Sequence, residues 1–127
     1  MSLQSPLGRV LGHGSAKDGV HHWWVQRLTS IALVPLTVWF VVSLVSLPAH
    51  DYTTVVSWIA HGWTALLFVL FIAITTWHSQ LGVQVVVEDY VHGGAKTLSL
   101  IISTFAHMFI AAAAIFAVLR VAFGGAA

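Results

Sequence analysis

Apolar residues run along this chain in three long blocks, each longer than a helix or strand of a soluble core needs to be. The first extends from about Trp23 to Leu47 and is interrupted only by Gln26, Arg27 and small hydroxyl residues. The second begins near Val55 and continues to about Val87, and the third covers about Thr97 to Phe123. A bilayer core of roughly 30 Å takes about 20 apolar residues in helical form, so each block predicts one membrane-spanning helix. The breaks between blocks agree. Leu47-Pro48-Ala49-His50-Asp51 ends the first, Glu88-Asp89-Tyr90-Val91-His92-Gly93-Gly94 ends the second with acids and paired glycines, and Gly124-Gly125 ends the third. At a helical rise of about 1.5 Å per residue the second block outreaches the bilayer, so one helix over 55–87 must tilt or protrude. The pattern predicts an all-α chain: a polar segment over 1–22, then a three-helix transmembrane domain over 23–127 with helices at about 23–47, 55–87 and 97–123. No repeat, low-complexity tract or second domain interrupts it.

Composition narrows the function. Of 127 residues, 58% are hydrophobic and 7% charged, which leaves too little polar surface for a soluble enzyme. A formal net charge of +1 provides no basic field for nucleic acid. Cysteine is absent, so this chain builds no disulfide framework, thiolate metal site or iron–sulfur cluster from its own cysteines. The first 20 residues are polar and Gly-rich without the apolar core of a secretory signal, and read as a cytoplasmic lead-in. Lys and Arg set the expected orientation: Arg9, Lys17 and Arg27 precede or open the first span, Lys96 lies between the second and third, and the 48–54 loop has neither type. Arg120 alone dissents, so the N terminus is expected in the cytoplasm. Trp23 and Trp24 at one end, and Trp58 and Trp63 at the other, fit interfacial anchors better than core packing, with core packing left open for Trp63.

Ionisable groups inside a span are costly and usually face a cavity, a cofactor or a partner, which directs attention to the eight histidines. His61 falls at the outer end of the second block, where an interfacial histidine needs no function. His78 lies roughly 15 Å inside the acidic end of that block at helical rise, and His107 sits at a similar depth in the third. Neutral imidazole is a common haem ligand, and two histidines on facing helices are what a haem in a helical bundle needs. Spacing alone leaves two readings of His78 open, a ligand or a histidine hydrogen-bonded to a neighbouring helix. Glu88 and Asp89 stand at a helix C terminus, against the helix dipole, and call for a stabilising cation such as one on a partner. Tyr90 beside them is either an aromatic-belt residue or a donor to a quinone carbonyl. Arg27 lies about one turn inside the headgroup boundary, where it snorkels to water or meets an acidic cofactor group.

Taken together, these segments resemble the hydrophobic membrane-anchor family of succinate dehydrogenase, the smaller of the two anchors of respiratory complex II. The strongest part is the stretch from His78 to Tyr90, similar to the family pattern of His, three residues, Gly, six residues, Asp-Tyr, here His78, Gly82, Asp89 and Tyr90. A weaker match is Gly19-Val20-His21 followed by Arg27. The resemblance implies three spans forming half of a haem-binding bundle, with the partner cytochrome b anchor subunit supplying the other half. It implies that His78 is an axial ligand of a shared b-type haem, that Arg27 and His21 meet the haem propionates, and that Tyr90 and Asp89 serve ubiquinone, Asp89 through an Arg of the partner. It further implies iron–sulfur and flavoprotein subunits as partners carrying the iron–sulfur clusters and FAD, electron transfer from succinate to quinone in the tricarboxylic acid cycle and respiratory chain, and residence in a bacterial cytoplasmic membrane. His107 departs from the pattern and keeps an intrachain or alternative ligand open. The chain holds no flavin or nicotinamide fingerprint, so dehydrogenation belongs to the partners. The rival expectations are a small independent b-type cytochrome, a fumarate reductase anchor, and a three-helix subunit with no cofactor.

Overall fold

A computed structural model describes Leu7 and residues 17–124; Arg9 and the rest of the 1–16 segment lie outside the described residues, as do the side chains of residues 17–19. Four helices follow one another: α1 Lys17–Val45, α2 Tyr52–Ala60, α3 Gly62–Tyr90 and α4 Gly94–Phe123. Three of them are long and apolar enough to cross a membrane, over Val20–Val45, Gly62–Tyr90 and Gly94–Phe123. α3 is the central helix and packs against both α1 and α4, while α2 touches α3 and α4. Two ends of the bundle can be told apart: a near end, where α1 begins and α3 turns into α4, and a far end, capped by α2.

The second apolar block is two helices, not one. Its expected helix over 55–87 is broken at His61, whose extended backbone (φ −68°, ψ 125°) closes α2 and opens α3. Its N–H returns to the carbonyl of Trp58 at 3.4 Å, and its carbonyl accepts from Ala65 N–H at 2.9 Å. Gly62, a weak helix former, makes the break cheap locally. The gain is tertiary. α2 folds across the far end and carries Trp58 into an aromatic cluster, its ring 6.3 Å from Trp39, 6.3 Å from Phe40 and 6.0 Å from Phe68. Phe40 also stacks on Phe68 and Phe71 at 5.4 and 5.1 Å. Such pairs contribute about 0.5–1.5 kcal/mol each beyond area burial. Trp58 is therefore packed, against the expectation of an interfacial anchor, whereas Trp63 is 71% exposed as a belt residue would be.

Most of the other boundaries shift outwards, while α1 stops at Val45, short of the expected Leu47, and α4 ends at Phe123 as expected. α1 starts at Lys17 rather than near Trp23, with Pro35 accommodated inside it as spanning helices allow. α3 runs through Glu88 and Asp89 to Tyr90, so the turn into α4 needs only Val91, His92 and Gly93. Gly93 has φ 67°, a conformation that an L side chain rarely adopts. At the far end Asp51 leads into α2 and accepts hydrogen bonds from the hydroxyls of Thr53 and Thr54. Those hydroxyls, Thr53 first, hold its carboxyl down to about 2 from 3.8. A depressed carboxylate supports the turn above its ordinary pKa, and that support is lost as pH falls towards 2.

Little of this bundle is buried in itself. Among the described residues only Ala65, Leu81, Val118, Thr29 and Thr64 are buried, and large apolar side chains on all three spans face outwards. A soluble chain with that surface would aggregate; in lipid it is the expected exterior. What crosses between spans at mid-depth is polar. Three successive α3 residues turn to different neighbours: His78 to α1, Ser79 to His107 of α4, and Gln80 to Thr104 of α4 at 3.4 Å. Interhelical hydrogen bonds of this kind contribute about 0.6 kcal/mol each in a membrane.

Candidate functional site

His78 is held by hydrogen bonds at both of its ring nitrogens. α3 presents it towards α1, where Thr29 Oγ1 stands 2.9 Å from its Nδ1 and Gln26 Nε2 stands 3.3 Å from its Nε2. The Gln26 amide N–H can only donate, so His78 Nε2 accepts and Nδ1 carries the ring proton. A neutral imidazole with Nδ1–H given to an oxygen and a lone pair on Nε2 is the state in which histidine ligates a metal. Gly82 follows one turn later on the same face. A Cβ there would stand in ordinary contact with Gln26 Nε2 at 3.8 Å, so the Gln26 side chain lies beside both the glycine and the imidazole.

A groove of about 560 Å³ runs from this point towards the near end between α1 and α3, lined by His22, Gln26, Gly82 and Glu88 among others. Two buried polar atoms, His22 Nε2 and Gln26 Oε1, have no hydrogen-bond partner in it. Towards a haem edge the set offers one imidazole with its proton on Nδ1, a glycine, and His22 Nε2 as a donor to a carboxylate, while Gln26 Oε1 can only accept. No group of three or more His, Asp or Glu side chains able to hold a bare metal ion occurs among the described residues.

The other expected site residues fall in two places. Arg27 and His21 lie on the exposed side of α1, the Arg27 guanidinium 4.6 Å from the Trp23 ring centroid. They do not join the hydrogen bonds around His78. Asp89 and Tyr90 end α3 at the near end, both exposed, Tyr90 at 80%. Tyr90 is twelve residues beyond His78, about 18 Å along the helix. Glu88 has a local explanation that the dipole argument missed, since Gln84 Nε2 donates to its carboxylate at 2.9 Å and Lys96 Nζ donates to its backbone carbonyl at 3.3 Å. Lys96 thus places its charge at a backbone carbonyl in the last turn of α3, where a cation complements the helix dipole.

His107 does not converge with His78. Its Nδ1–H donates to the Ser103 carbonyl at 2.8 Å, and its Nε2 accepts from the Ser79 hydroxyl at 3.2 Å, so it belongs to the α3–α4 contact. Gln26 and Thr29 are the site residues that sequence reasoning passed over. Their signal was present: Gln26, Thr29 and Ser30 put polar groups at helical spacing on one stretch of an otherwise apolar span.

Three long apolar helices around a thin, hydrogen-bonded interior define a multi-pass membrane protein built as a helical bundle. The description "Succinate dehydrogenase/Fumarate reductase transmembrane subunit" matches residues 1–119, and the chain belongs to that family. It is similar to the succinate dehydrogenase hydrophobic membrane anchor subunit of Rickettsia conorii, with 31% identity over 81% of this chain and 84% of the relative. The subunit of the same name from Paracoccus denitrificans is 26% identical over 98% of this chain and 96% of its own length. The succinate dehydrogenase membrane anchor subunit of Reclinomonas americana is 31% identical over 61% of this chain and 67% of its own. No solved structure matches the chain significantly.

Proposed function

We propose that this chain is the smaller membrane anchor of a succinate dehydrogenase, seated in a bacterial cytoplasmic membrane with its N terminus in the cytoplasm. It docks the iron–sulfur and flavoprotein subunits and shares a b-type haem with a cytochrome b anchor subunit. The observation that carries the reading is the single face of α3 that bears His78 in its ligating form and Gly82 one turn on, in a chain of this family, with Asp89 and Tyr90 at the helix end. His78 Nε2 would ligate the haem iron, and Arg27 and His21, near the start of the first span, would neutralise propionates. When bound, the haem supplies a one-electron store between the partner subunits and the quinone. Tyr90 donates its hydroxyl proton in a hydrogen bond to a ubiquinone carbonyl, and Asp89 holds a partner cation beside it. The exposure of both is what a site completed by another subunit requires.

Purification in mild detergent through a tag on this chain is expected to recover three companion subunits, one carrying flavin. Recovery of the chain alone with bound haem would instead favour an independent b-type cytochrome.

Orientation has its own check. The chain lacks cysteine, so single substitutions can be labelled cleanly from one side of the membrane. Ala95→Cys, in the first turn of α4, is expected to react with an impermeant thiol reagent from the cytoplasmic side, and Ala49→Cys, before α2, from the opposite side. The basis is Lys96 near the α3–α4 turn against the absence of Lys and Arg from 48–54. Cytoplasmic labelling at Ala49→Cys would invert the topology.

A further inference from the structure

Several hydroxyl side chains in these spans hydrogen-bond back to their own helix, which is ordinary for Ser and Thr among apolar residues. Ser30 donates to the Gln26 carbonyl at 2.7 Å and Thr76 to the Ile72 carbonyl at 2.6 Å, and those contacts complete their hydrogen bonding. Thr29 does more. Its hydroxyl faces the Val25 carbonyl at 2.8 Å and the Gln26 carbonyl at 3.0 Å, and its Oγ1 is also 2.9 Å from His78 Nδ1. It is 7% exposed in a bundle where little else is buried.

The direction of that contact is determined by proton counting. A hydroxyl has one proton and two lone pairs, and both carbonyls can only accept, so the Thr29 proton is committed to its own helix. Towards His78 the oxygen must therefore accept, and the imidazole proton must be on Nδ1. The Gln26 amide, with its Nε2 3.3 Å from the ring Nε2, fits the same tautomer from the other side of the ring. The contacts of Thr29 form a chain from Nδ1–H to Oγ1–H to a backbone carbonyl, in which each bond polarises the next.

The geometry points to Thr29 as a positioning residue for the haem ligand, acting by accepting the Nδ1–H of His78. It fixes the ring orientation and the tautomer in which Nε2 would ligate iron once the Gln26 amide gives up that lone pair, and by drawing on Nδ1–H it makes Nε2 a stronger donor. A stronger axial donor favours the oxidised metal and lowers the potential. The inference rests on the reading of His78 as the axial ligand. His107 provides a contrast, because its Nδ1–H goes to the Ser103 backbone carbonyl, which side-chain substitution leaves in place.

Two measurements test it. In the full chain in detergent micelles with nitrogen-15 histidine, and His78→Gln to assign the signal, His78 is expected as the Nδ1–H tautomer in wild type. An Nε2–H tautomer there overturns the proposal without touching haem ligation, and it needs no Thr29 variant to fold. In the assembled complex, Thr29→Val keeps the branched shape and removes the acceptor. The balance between oxidised and reduced haem is expected to move about tenfold towards reduced, which is about 59 mV upwards for a one-electron couple. Thr29→Ser restores the acceptor and is expected to restore the wild-type potential. An unchanged potential in Thr29→Val, with the haem still bound and still dependent on His78, removes Thr29 from its role and leaves the ligand reading standing. A haem whose spectrum ignores His78→Ala removes both.

Discussion

The His78→Ala variant of the assembled complex is expected to lose its low-spin b-type haem spectrum, or to retain it only as a high-spin remnant. Alanine removes the Nε2 lone pair and also strands two groups, since Thr29 Oγ1 and Gln26 Nε2 both direct hydrogen bonds to that ring. His107→Ala serves as the matched comparison, at similar depth and likewise hydrogen-bonded across a helix pair. It is expected to leave the haem spectrum largely intact, because the ring faces Ser79 and not the α1 side of α3. Succinate oxidation by a soluble dye should persist in both variants while the complex holds together, because the proposed function assigns that chemistry to other subunits. Loss of the low-spin signal in His107→Ala, with His78→Ala unaffected, would reassign the ligand.

Tyr90→Phe is expected to reduce quinone reduction by roughly tenfold or more, while succinate oxidation by an artificial soluble acceptor stays nearly unchanged. The ring is preserved and a single donor is lost. A phenol remains protonated at neutral pH, so it can stabilise negative charge as it develops on a quinone oxygen, an interaction of about 1.5–3 kcal/mol for a charged partner. A loss of that size is about ten- to a hundredfold in rate. Tyr90 is 80% exposed at the last residue of α3, so its removal disturbs no packing within this chain. Equal quinone reductase activity in Tyr90→Phe and wild type would return Tyr90 to the aromatic belt.

Much of the architecture was legible from residue order. Three spans follow from three apolar blocks because in lipid a backbone must satisfy its own hydrogen bonds, and a block of about 20 or more apolar residues has few other options. The family motif from His78 to Tyr90 was equally legible, as its residues are local to one helix and fixed in register by the helical repeat. Gly93 was visible as a breaker, and it sits where a positive φ is required.

What only the tertiary structure decided depends on contacts distant in sequence. The break at His61 is invisible to hydropathy because both sides of it are apolar, and it is favoured by what Trp58 meets on α1 and α3, Trp39, Phe40 and Phe68. His78 and His107 share a depth and looked like a pair, yet depth says nothing about rotation about the helix axis. One ring addresses Thr29, 49 residues earlier, and the other Ser79, 28 residues earlier. Both rings keep their proton on Nδ1, so what separates them is the span each addresses: His78 meets the hydroxyl and amide of α1, and His107 meets the Ser79 hydroxyl of α3. That was decided by the packing of the spans, which sets the rotation of each helix about its own axis.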